Sequence, residues 1–297
     1  WTSYTLDSAN DVLYVPGGNP APDFVKSLRP GDNLYTDSIV ALDAKTGTYK
    51  THYQLVKNDF HDWDASTAPA IVKTKAGKTI VAIAPKDGYL HAFDIVSGKS
   101  LYKTPTTTIK NDTAPVTEKG THVCPGTQGG SEWNGAAYDA DTNLLYVGAV
   151  DWCATLKGSP AVVKKGAPGK PWSGEPDEKH EFGELDPQNT WAGWVTAVDA
   201  DTGTIAWKYR ADAPVMSGIT PTAGGVVFFG DMEGALKALD AKSGGVLWEH
   251  QLDGAAGGGI ITYGVNGKQL VAVASGMTSP IWPTPKTTAK IVVFGIP

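Results

Sequence analysis

A short phrase that recurs along the chain restricts its possible folds more than any other feature. The phrase has an apolar pair, an Asp, two variable residues, a Thr or Ser, and a Gly, and its clear copies begin at Ala41, Ala92, Ala197 and Ala238. The Asp and the hydroxyl residue are suited to capping a type I turn, and the Gly tolerates the positive φ that follows. The copies lie about 40 to 50 residues apart, with one gap near 105. Recurrence at that period is typical of propeller blades.

The segments around the repeat predict an all-β protein. Apolar runs bounded by turn residues, such as 80–84 and 144–150, have the length and pattern of strands, and no stretch shows a sustained helical period. A two-sheet sandwich also uses short strands and turns, but it gives no reason for one turn phrase to repeat. We therefore predict a single β-propeller domain over residues 1–297, with about five to six blades.

The segment at about residues 155–191 departs from this pattern. It is rich in Pro, Gly, Lys and Glu and has little periodicity. Because it is too long for a plain connection, we predict a surface loop with a role or a partner, with a disordered excursion as the alternative.

Charge and hydropathy exclude several classes of function. The net charge of −6 argues against binding to nucleic acid or to an anionic membrane surface, because both select basic faces. No run of 18 or more apolar residues is present, so no membrane-spanning helix is expected. The start has no signal-peptide pattern, but the first residue is Trp1 rather than Met. We therefore expect a chain that is processed, truncated or incomplete.

Two further phrases carry side chains suited to chemistry. Asn19 lies in a Gly-Asn-Pro turn just after a predicted strand, and its amide oxygen is a good ligand for a hard cation. Asp64 closes the phrase His61-Asp62-Trp63-Asp64 and could offer a carboxylate to the same ion or act as a base. The residues alone leave open that Asn19 is only a turn residue and that Asp64 is only a solvated cap.

These phrases, taken in their order, resemble one enzyme family. The segments 18–22, 29–33, 39–47 and 61–64 are similar to segments of the pyrroloquinoline quinone (PQQ)-dependent alcohol dehydrogenases, which include the methanol dehydrogenase large subunit. The resemblance implies a propeller of about eight blades, of which this chain supplies the C-terminal part. The remaining N-terminal blades are then expected elsewhere.

The resemblance also assigns roles to individual residues. It implies that Asn19 binds the active-site metal, that Asp64 binds the metal and is the general base, and that Trp1 stacks on the quinone. Lys86, in a Lys-Asp-Gly turn, would contact the quinone oxygens. Glu132, in the segment Gly-Gly-Ser-Glu-Trp-Asn, would bind the cofactor, although many members carry Asn at that position.

The pairing of the cysteines and the identity of the metal are inferred from the same resemblance. The two cysteines, Cys124 and Cys153, could by number be ordinary buried thiols. The resemblance implies that they form a disulfide, as expected in an oxidising compartment. Ser66 stands where lanthanide-selective members have a second Asp, which favours calcium. His61 and Asp62 are one residue closer to Trp63 than in the commoner family spacing.

The activity implied is PQQ- and calcium-dependent oxidation of a primary or secondary alcohol to an aldehyde or ketone. Electrons would pass to a cytochrome c in the bacterial periplasm, and a homodimer is possible. A related hypothesis is a quinoprotein that acts on sugars or polymers. The alternative from another class is a non-enzymatic propeller scaffold of the outer-membrane assembly type, which would have no need of Asn19, Asp64 and Lys86.

Overall fold

The computed structural model describes residues 2–163, 168, 172–284 and 286–295, and nearly all of its regular structure is strand. The strands, in chain order, are β1 (Thr5–Asp7), β2 (Val12–Pro16), β3 (Ser38–Asp43), β4 (Tyr49–Gln54), β5 (Ala70–Lys73), β6 (Thr79–Ile83), β7 (Tyr89–Asp94), β8 (Ser100–Pro105), β9 (Thr121–Val123), β10 (Ala137–Asp139), β11 (Leu144–Asp151), β12 (Ala154–Leu156), β13 (Glu184–Leu185), β14 (Ala192–Asp199), β15 (Ile205–Ala211), β16 (Thr220–Pro221), β17 (Val226–Gly230), β18 (Ala235–Asp240), β19 (Val246–Gln251), β20 (Ile260–Val265), β21 (Lys268–Ser275) and β22 (Lys290–Gly295).

Among the described residues, helical structure is confined to single turns. These are α1 (Pro160–Val163) and two 3-10 turns at Lys26–Leu28 and Gln188–Thr190. Within the described ranges, no helix has the length and apolar character needed to cross a bilayer.

Besides a smaller sixth sheet, the described strands form five antiparallel sheets whose strands pair in the order in which they occur along the chain. Four of them have four strands, with the orders β1-β2-β3-β4, β5-β6-β7-β8, β10-β11-β14-β15 and β16-β17-β18-β19, and the fifth is β20-β21-β22. This meander is the architecture of a propeller blade. The predicted all-β propeller is therefore confirmed.

The third blade differs because it carries an insertion between its second and third strands. β12 and β13 lie in this insertion and pair with β9 in a small separate sheet of order β13-β12-β9. The segment at about 155–191 belongs mostly to this insertion, and residues 164–167 and 169–171 within it lie outside the described part of the chain.

The recurring phrase forms the hairpin between the last two strands of four blades. In the first copy, the Asp43 carboxylate accepts hydrogen bonds from the backbone N–H and the hydroxyl of Thr46, both at 3.0 Å. In the last copy, the Asp240 carboxylate accepts them from the N–H and hydroxyl of Ser243, both at 2.8 Å. The turn residues are thus fixed by local hydrogen bonds, which explains why the phrase repeats although its exposed residues vary.

The hydrophobic core lies between adjacent blades. Tyr146 and Phe229, both fully buried, belong to one cluster shared by the third and fourth blades. The Tyr146 hydroxyl and the Trp207 indole N–H both donate to the carbonyl oxygen of Ala241, at 3.0 Å each. Blade packing therefore combines apolar burial, worth about 2 kcal/mol for a large side chain, with polar contacts that set how neighbouring blades meet.

A disulfide between Cys124 and Cys153 fastens the small sheet to the third blade, as the resemblance implied. The two cysteines are 29 residues apart in the sequence. Replacing both by Ser should lower the free energy of unfolding by about 3–4 kcal/mol, because the unfolded chain loses a loop constraint of that length. Urea unfolding with and without a reductant measures this. A change below about 1 kcal/mol in the double variant would contradict the prediction.

Candidate active site

Loops from three successive blades meet at one end of the sheets. Because strands alternate in direction, the connections after the second and fourth strands of a blade lie at the same end. Asn19 follows β2, Asp62 and Asp64 follow β4, and Lys86 follows β6. Together with Glu132, from the connection between β9 and β10, they line a cavity of about 550 Å³. The fold therefore gathers side chains that are up to 113 residues apart (132 − 19).

The remaining predicted contact, Trp1, lies outside the described residues. Its expected stacking on the quinone stays a prediction.

The two oxygens of Asp64 face different neighbours. Oδ1 accepts the backbone N–H of Asn19 at 3.0 Å, and Oδ2 accepts Lys86 Nζ at 3.2 Å. The amide nitrogen of Asn19 donates to Asp23 Oδ1 at 3.1 Å, which leaves the amide oxygen to bind a cation. A Cβ on Gly18 would lie 2.7 Å from Asp64 Oδ1, so only glycine allows this approach.

Lys86 is the cation at the centre of the site. It is 3% exposed, and its ammonium contacts Asp62 Oδ2 at 2.9 Å as well as Asp64. Burial opposes its charge, but the carboxylates of Asp62, Glu132 and Asp64 together outweigh that effect and raise the pKa of Lys86. Lys86 therefore stays protonated and anchors the acids around it.

The acids around Lys86 outnumber it. Burial raises the pKa of Asp62 to about 7 and that of Glu132 to about 8, although Lys86 lowers both. Burial also raises the pKa of Asp23 to about 6. Glu132 is 3% exposed, and its Oε1 has no hydrogen-bond partner among the described residues. The site thus holds more carboxylates than positive charge, which is the condition that favours a bound cation.

In cation-free protein, this burial predicts a stability that falls as pH rises. The folded-state pKa of Glu132, about 8, exceeds its ordinary 4.5. Its contribution to stability is therefore fully present below about pH 4.5 and is lost as pH rises through about 8. Melting temperatures measured in EDTA from pH 5 to 9 should fall with pH, and Glu132→Gln should flatten the slope. Glu178→Gln, at an exposed carboxyl, should leave the slope unchanged, and an equal slope in both variants would contradict the assignment.

A second layer of residues holds these loops in place, and the sequence did not reveal it. Arg29 donates to Asn33 Oδ1 at 2.8 Å, to Asn58 Oδ1 at 2.9 Å, and to the carbonyl oxygens of Asp23 and Asp59. It therefore ties the loop that carries Asn19 to the loop that carries Asp64. In the sequence, Arg29 belongs to a segment that carries the family resemblance, and nothing there indicates its role in joining the two loops.

Asp59 shapes the turn that ends at Asp64. Its two carboxylate oxygens accept the backbone N–H groups of His61 at 3.1 Å and Trp63 at 3.0 Å, and the side chain is 1% exposed. His61 and Trp63 are buried and stack on each other with ring centroids 3.8 Å apart. These two stacked rings pack beneath the surface within the loop that carries Asp64. An Asp two residues before the His, able to cap its own turn, was the available sequence signal.

Ser66 and Asp37 complete the surroundings. The Ser66 hydroxyl donates to the carbonyl oxygen of Ser131 at 3.2 Å and so joins the Asp64 loop to the Glu132 loop. Asp37 is fully buried, and neither of its carboxylate oxygens has a hydrogen-bond partner among the described residues. Burial and the nearby charges of Asp59 and Asp64 raise its pKa well above the ordinary value. Asp37 was missed because an Asp beside a strand is usually a surface residue.

One other group of possible metal ligands exists within the described ranges, formed by His122, Cys153 and Asp186. The sulfur of Cys153 is already bonded to Cys124, so this group does not compete as a metal site.

Comparisons with known proteins agree with this geometry. Residues 1–116, which include Asn19, Asp64 and Lys86, match the family described as glucose/ethanol/alcohol dehydrogenase, beta-propeller domain. Residues 192–280 match the family described as outer membrane protein assembly factor BamB.

Individual relatives match across almost the whole chain. Quinoprotein alcohol dehydrogenase PedH of Pseudomonas putida is 30% identical over 95% of this chain and 50% of its own length. Quinohemoprotein alcohol dehydrogenase of Comamonas testosteroni is 33% identical over 93% and 42%. Methanol dehydrogenase [cytochrome c] subunit 1 of Methylobacterium organophilum is 30% identical over 95% and 48%. The crystal structure of the Comamonas testosteroni enzyme superposes with a TM-score of 0.82 and 28% identity, covering 99% of this chain and 48% of that one.

The blades and the acidic cavity between their loops, with these matches, define a β-propeller that is similar to those of quinoprotein dehydrogenases. The chain is similar to quinoprotein alcohol dehydrogenases and to a methanol dehydrogenase subunit over 93–95% of its length. It spans about half the length of the relatives that it matches.

Proposed function

We propose that this protein oxidises a primary or secondary alcohol to an aldehyde or ketone with PQQ and calcium. The single observation that carries the proposal is the cavity in which Asn19, Asp64, Lys86 and Glu132 converge. Because the chain spans about half of its relatives, the activity is proposed for the protein of which these blades form a part.

The residues present fit a hard cation and a charged cofactor. Asn19 offers an amide oxygen, Asp64 offers a carboxylate, and Glu132, whose Oε1 has no hydrogen-bond partner among the described residues, lines the same cavity. All are oxygen ligands of the kind that calcium prefers. A volume of about 550 Å³ lies within the usual range for sites that hold small organic cofactors.

When bound, the metal and PQQ would supply Lewis acidity and an acceptor for the hydride of the substrate. In this proposal, Asp64 takes the hydroxyl proton of the alcohol at its carboxylate. Lys86, held beside Asp64 at 3.2 Å, would stabilise negative charge on the cofactor oxygens. Asn19 fixes the position of Asp64 through its backbone N–H.

Calcium is proposed over a lanthanide because of Ser66. A carboxylate two residues after Asp64 would add a negative charge to the metal site, and Ser66 instead uses its hydroxyl to hold Ser131. A less negative ligand set is suited to a divalent rather than a trivalent ion.

The partners are proposed on the strength of the family. They are a small alcohol, a cytochrome c that accepts the electrons, and further N-terminal blades, with a homodimer as the assembly. The disulfide between Cys124 and Cys153 supports a bacterial periplasmic location, because disulfides persist in oxidising compartments.

A non-enzymatic scaffold is the second candidate, and one observation favours it. Residues 192–280 match the assembly-factor family. That segment contains none of Asn19, Asp64, Lys86 and Glu132, which lie earlier in the chain. A scaffold would have no reason to bury Lys86 among three acids, because buried charges are expensive unless a function requires them. We therefore place the enzyme first.

The test is alcohol-dependent reduction of a cytochrome c or an artificial dye. Purified protein supplied with PQQ and calcium should reduce the acceptor when ethanol or 1-butanol is added, and omission of either supplement should stop the reaction. No reduction with any alcohol, by folded protein that also retains no PQQ, would favour the scaffold.

A further inference from the structure

We propose that the small sheet of β9, β12 and β13 becomes a zinc site when its disulfide is reduced. The ligands are His122, Cys124, Cys153 and Asp186, which we call the small-sheet cluster. This site is separate from the acidic cavity, and the inference does not depend on the proposed function.

Strand pairing places the small-sheet cluster on one face of the sheet. Cys124 directly follows β9, Cys153 directly precedes β12, and Asp186 directly follows β13, so these three residues form one row across the sheet. The Cα atoms of Cys124 and Cys153 are 4.5 Å apart, and the Cys153 carbonyl oxygen accepts the N–H of Asp186 at 3.0 Å. His122 lies two residues before Cys124 and points to the same face, because side chains alternate along a strand.

The ligand atoms are already close enough to surround one ion. A ring nitrogen of His122, the sulfur of Cys153 and a carboxylate oxygen of Asp186 lie within 4.8 Å of one another, and His122 Nε2 is 3.0 Å from Asp186 Oδ2. Neighbouring ligand atoms around a tetrahedral zinc ion are about 3.3–3.8 Å apart. The sulfur of Cys124 is bonded to that of Cys153, so a rotation of its side chain after reduction supplies the fourth ligand.

Reduction releases the two sulfur ligands. In the oxidised protein, the sulfurs of Cys124 and Cys153 are bonded to each other and are not thiolates. A dithiol reductant of the thiol–disulfide oxidoreductase class transfers two electrons and two protons to this bond and is itself oxidised to a disulfide. Zinc then displaces both thiol protons to solvent and binds two thiolates, an imidazole and a carboxylate. This ligand set favours zinc over calcium, which binds oxygen ligands.

The small-sheet cluster is open to solvent on the side where an ion would enter. The side chains of His122 and Asp186 are 38% and 31% exposed. Cys153 is half-buried, whereas Cys124 is only 3% exposed. Cys153 is therefore the sulfur that a reductant attacks, and zinc reaches the resulting thiolates past His122 and Asp186.

The opposite face of the small sheet gives such a metal a structural role. Val123, Ala154 and Leu156 on that face pack with Phe24 in one hydrophobic cluster. Phe24 lies five residues after Asn19 in the same loop. The small sheet therefore supports this loop, and zinc would keep the sheet fastened under conditions in which the disulfide is lost.

The experiment titrates zinc into the protein before and after reduction with a phosphine, with a chromophoric chelator as competitor and the excess reductant removed under argon. We expect the reduced protein to bind one zinc ion more than the oxidised protein. His122→Ala, purified with its disulfide intact and then reduced, should weaken this binding by more than about 10²-fold, since loss of even an outer-shell partner costs about 10- to 100-fold. His180→Ala is the matched control, because His180 forms a similar pair with Asp177 at 2.9 Å in the same insertion but is not a cluster member.

Cobalt(II) provides a second readout of the same site. In the reduced protein it should show the intense visible bands of a tetrahedral ion and a thiolate charge-transfer band, which an ion held by oxygen ligands in the acidic cavity does not give. A reduced protein that unfolds without zinc and refolds with it, but not in the His122→Ala variant, would also support the site. Equal zinc binding before and after reduction, undiminished affinity in His122→Ala, or a cobalt spectrum without a thiolate band would overturn the inference.

Discussion

The Asp64→Asn protein should lose alcohol oxidation, with kcat falling by about 10³-fold, while it retains PQQ. An amide cannot accept the hydroxyl proton of the substrate, but it keeps the size and one oxygen of the carboxylate. The backbone N–H of Asn19 and the Nζ of Lys86 can still donate hydrogen bonds to that oxygen or to water. Stopped-flow reduction of bound PQQ by alcohol measures the chemical step, and the quinone absorbance of the desalted protein measures retention.

The matched control for this variant is Asp32→Asn. Asp32 lies on the same side of the first blade, but its carboxylate is exposed and pairs with Lys57 at 2.8 Å. Its loss should leave both readouts unchanged, because exposed ion pairs contribute little. An Asp64→Asn protein that oxidises alcohol at more than a tenth of the normal rate would remove Asp64 from the role of base.

Lys86→Met should lower the free energy of unfolding by about 3–5 kcal/mol at pH 8, the largest stability effect expected of a single substitution here. Met matches the length of Lys but carries no charge. Asp62, Asp64 and Glu132 would then be buried without the ammonium that contacts two of them directly. Urea unfolding in EDTA measures the change.

The pH dependence of this loss distinguishes charge from packing. Near pH 5, Asp62 and Glu132 are largely protonated, since their pKa values are raised to about 7 and about 8. The deficit of Lys86→Met should therefore shrink as pH falls, whereas a packing defect would persist. Lys45→Met, which breaks the exposed pair with Asp11, should have little effect at either pH. A deficit that is equal at pH 5 and pH 8 would contradict the electrostatic account.

Much of the fold could be predicted from the sequence because the blade hairpins are built from local contacts. The Asp, Thr or Ser, and Gly of each copy bond within a few residues, as Asp43 does to Thr46. Such turns produce a sequence motif that recurs at a fixed period. The small sheet of β9, β12 and β13 has no such motif, because its strands are two or three residues long and pair across an insertion. Its position depends on the disulfide and on contacts distant in sequence.

The candidate site, like the fold, could be predicted from the sequence only in part. Only the family resemblance could place Asn19, Asp64, Lys86 and Glu132 together. No local contact brings residue 19 near residue 132. The structure places these four side chains around one cavity. Asp23, Asp37 and Asp59 were missed because their burial depends on how three loops fold over one another.

The stoichiometry of PQQ retained by the protein is the sharpest test of the proposed function. Purified protein is incubated with PQQ and calcium and then desalted, and the quinone absorbance is compared with the protein concentration. We predict about one PQQ per protein, retention that EDTA abolishes, and marked loss of retention in Lys86→Met at a pH where that variant is folded. Retention of no PQQ by folded protein with calcium present would contradict the account and would leave the propeller as a relative of the dehydrogenases without their chemistry.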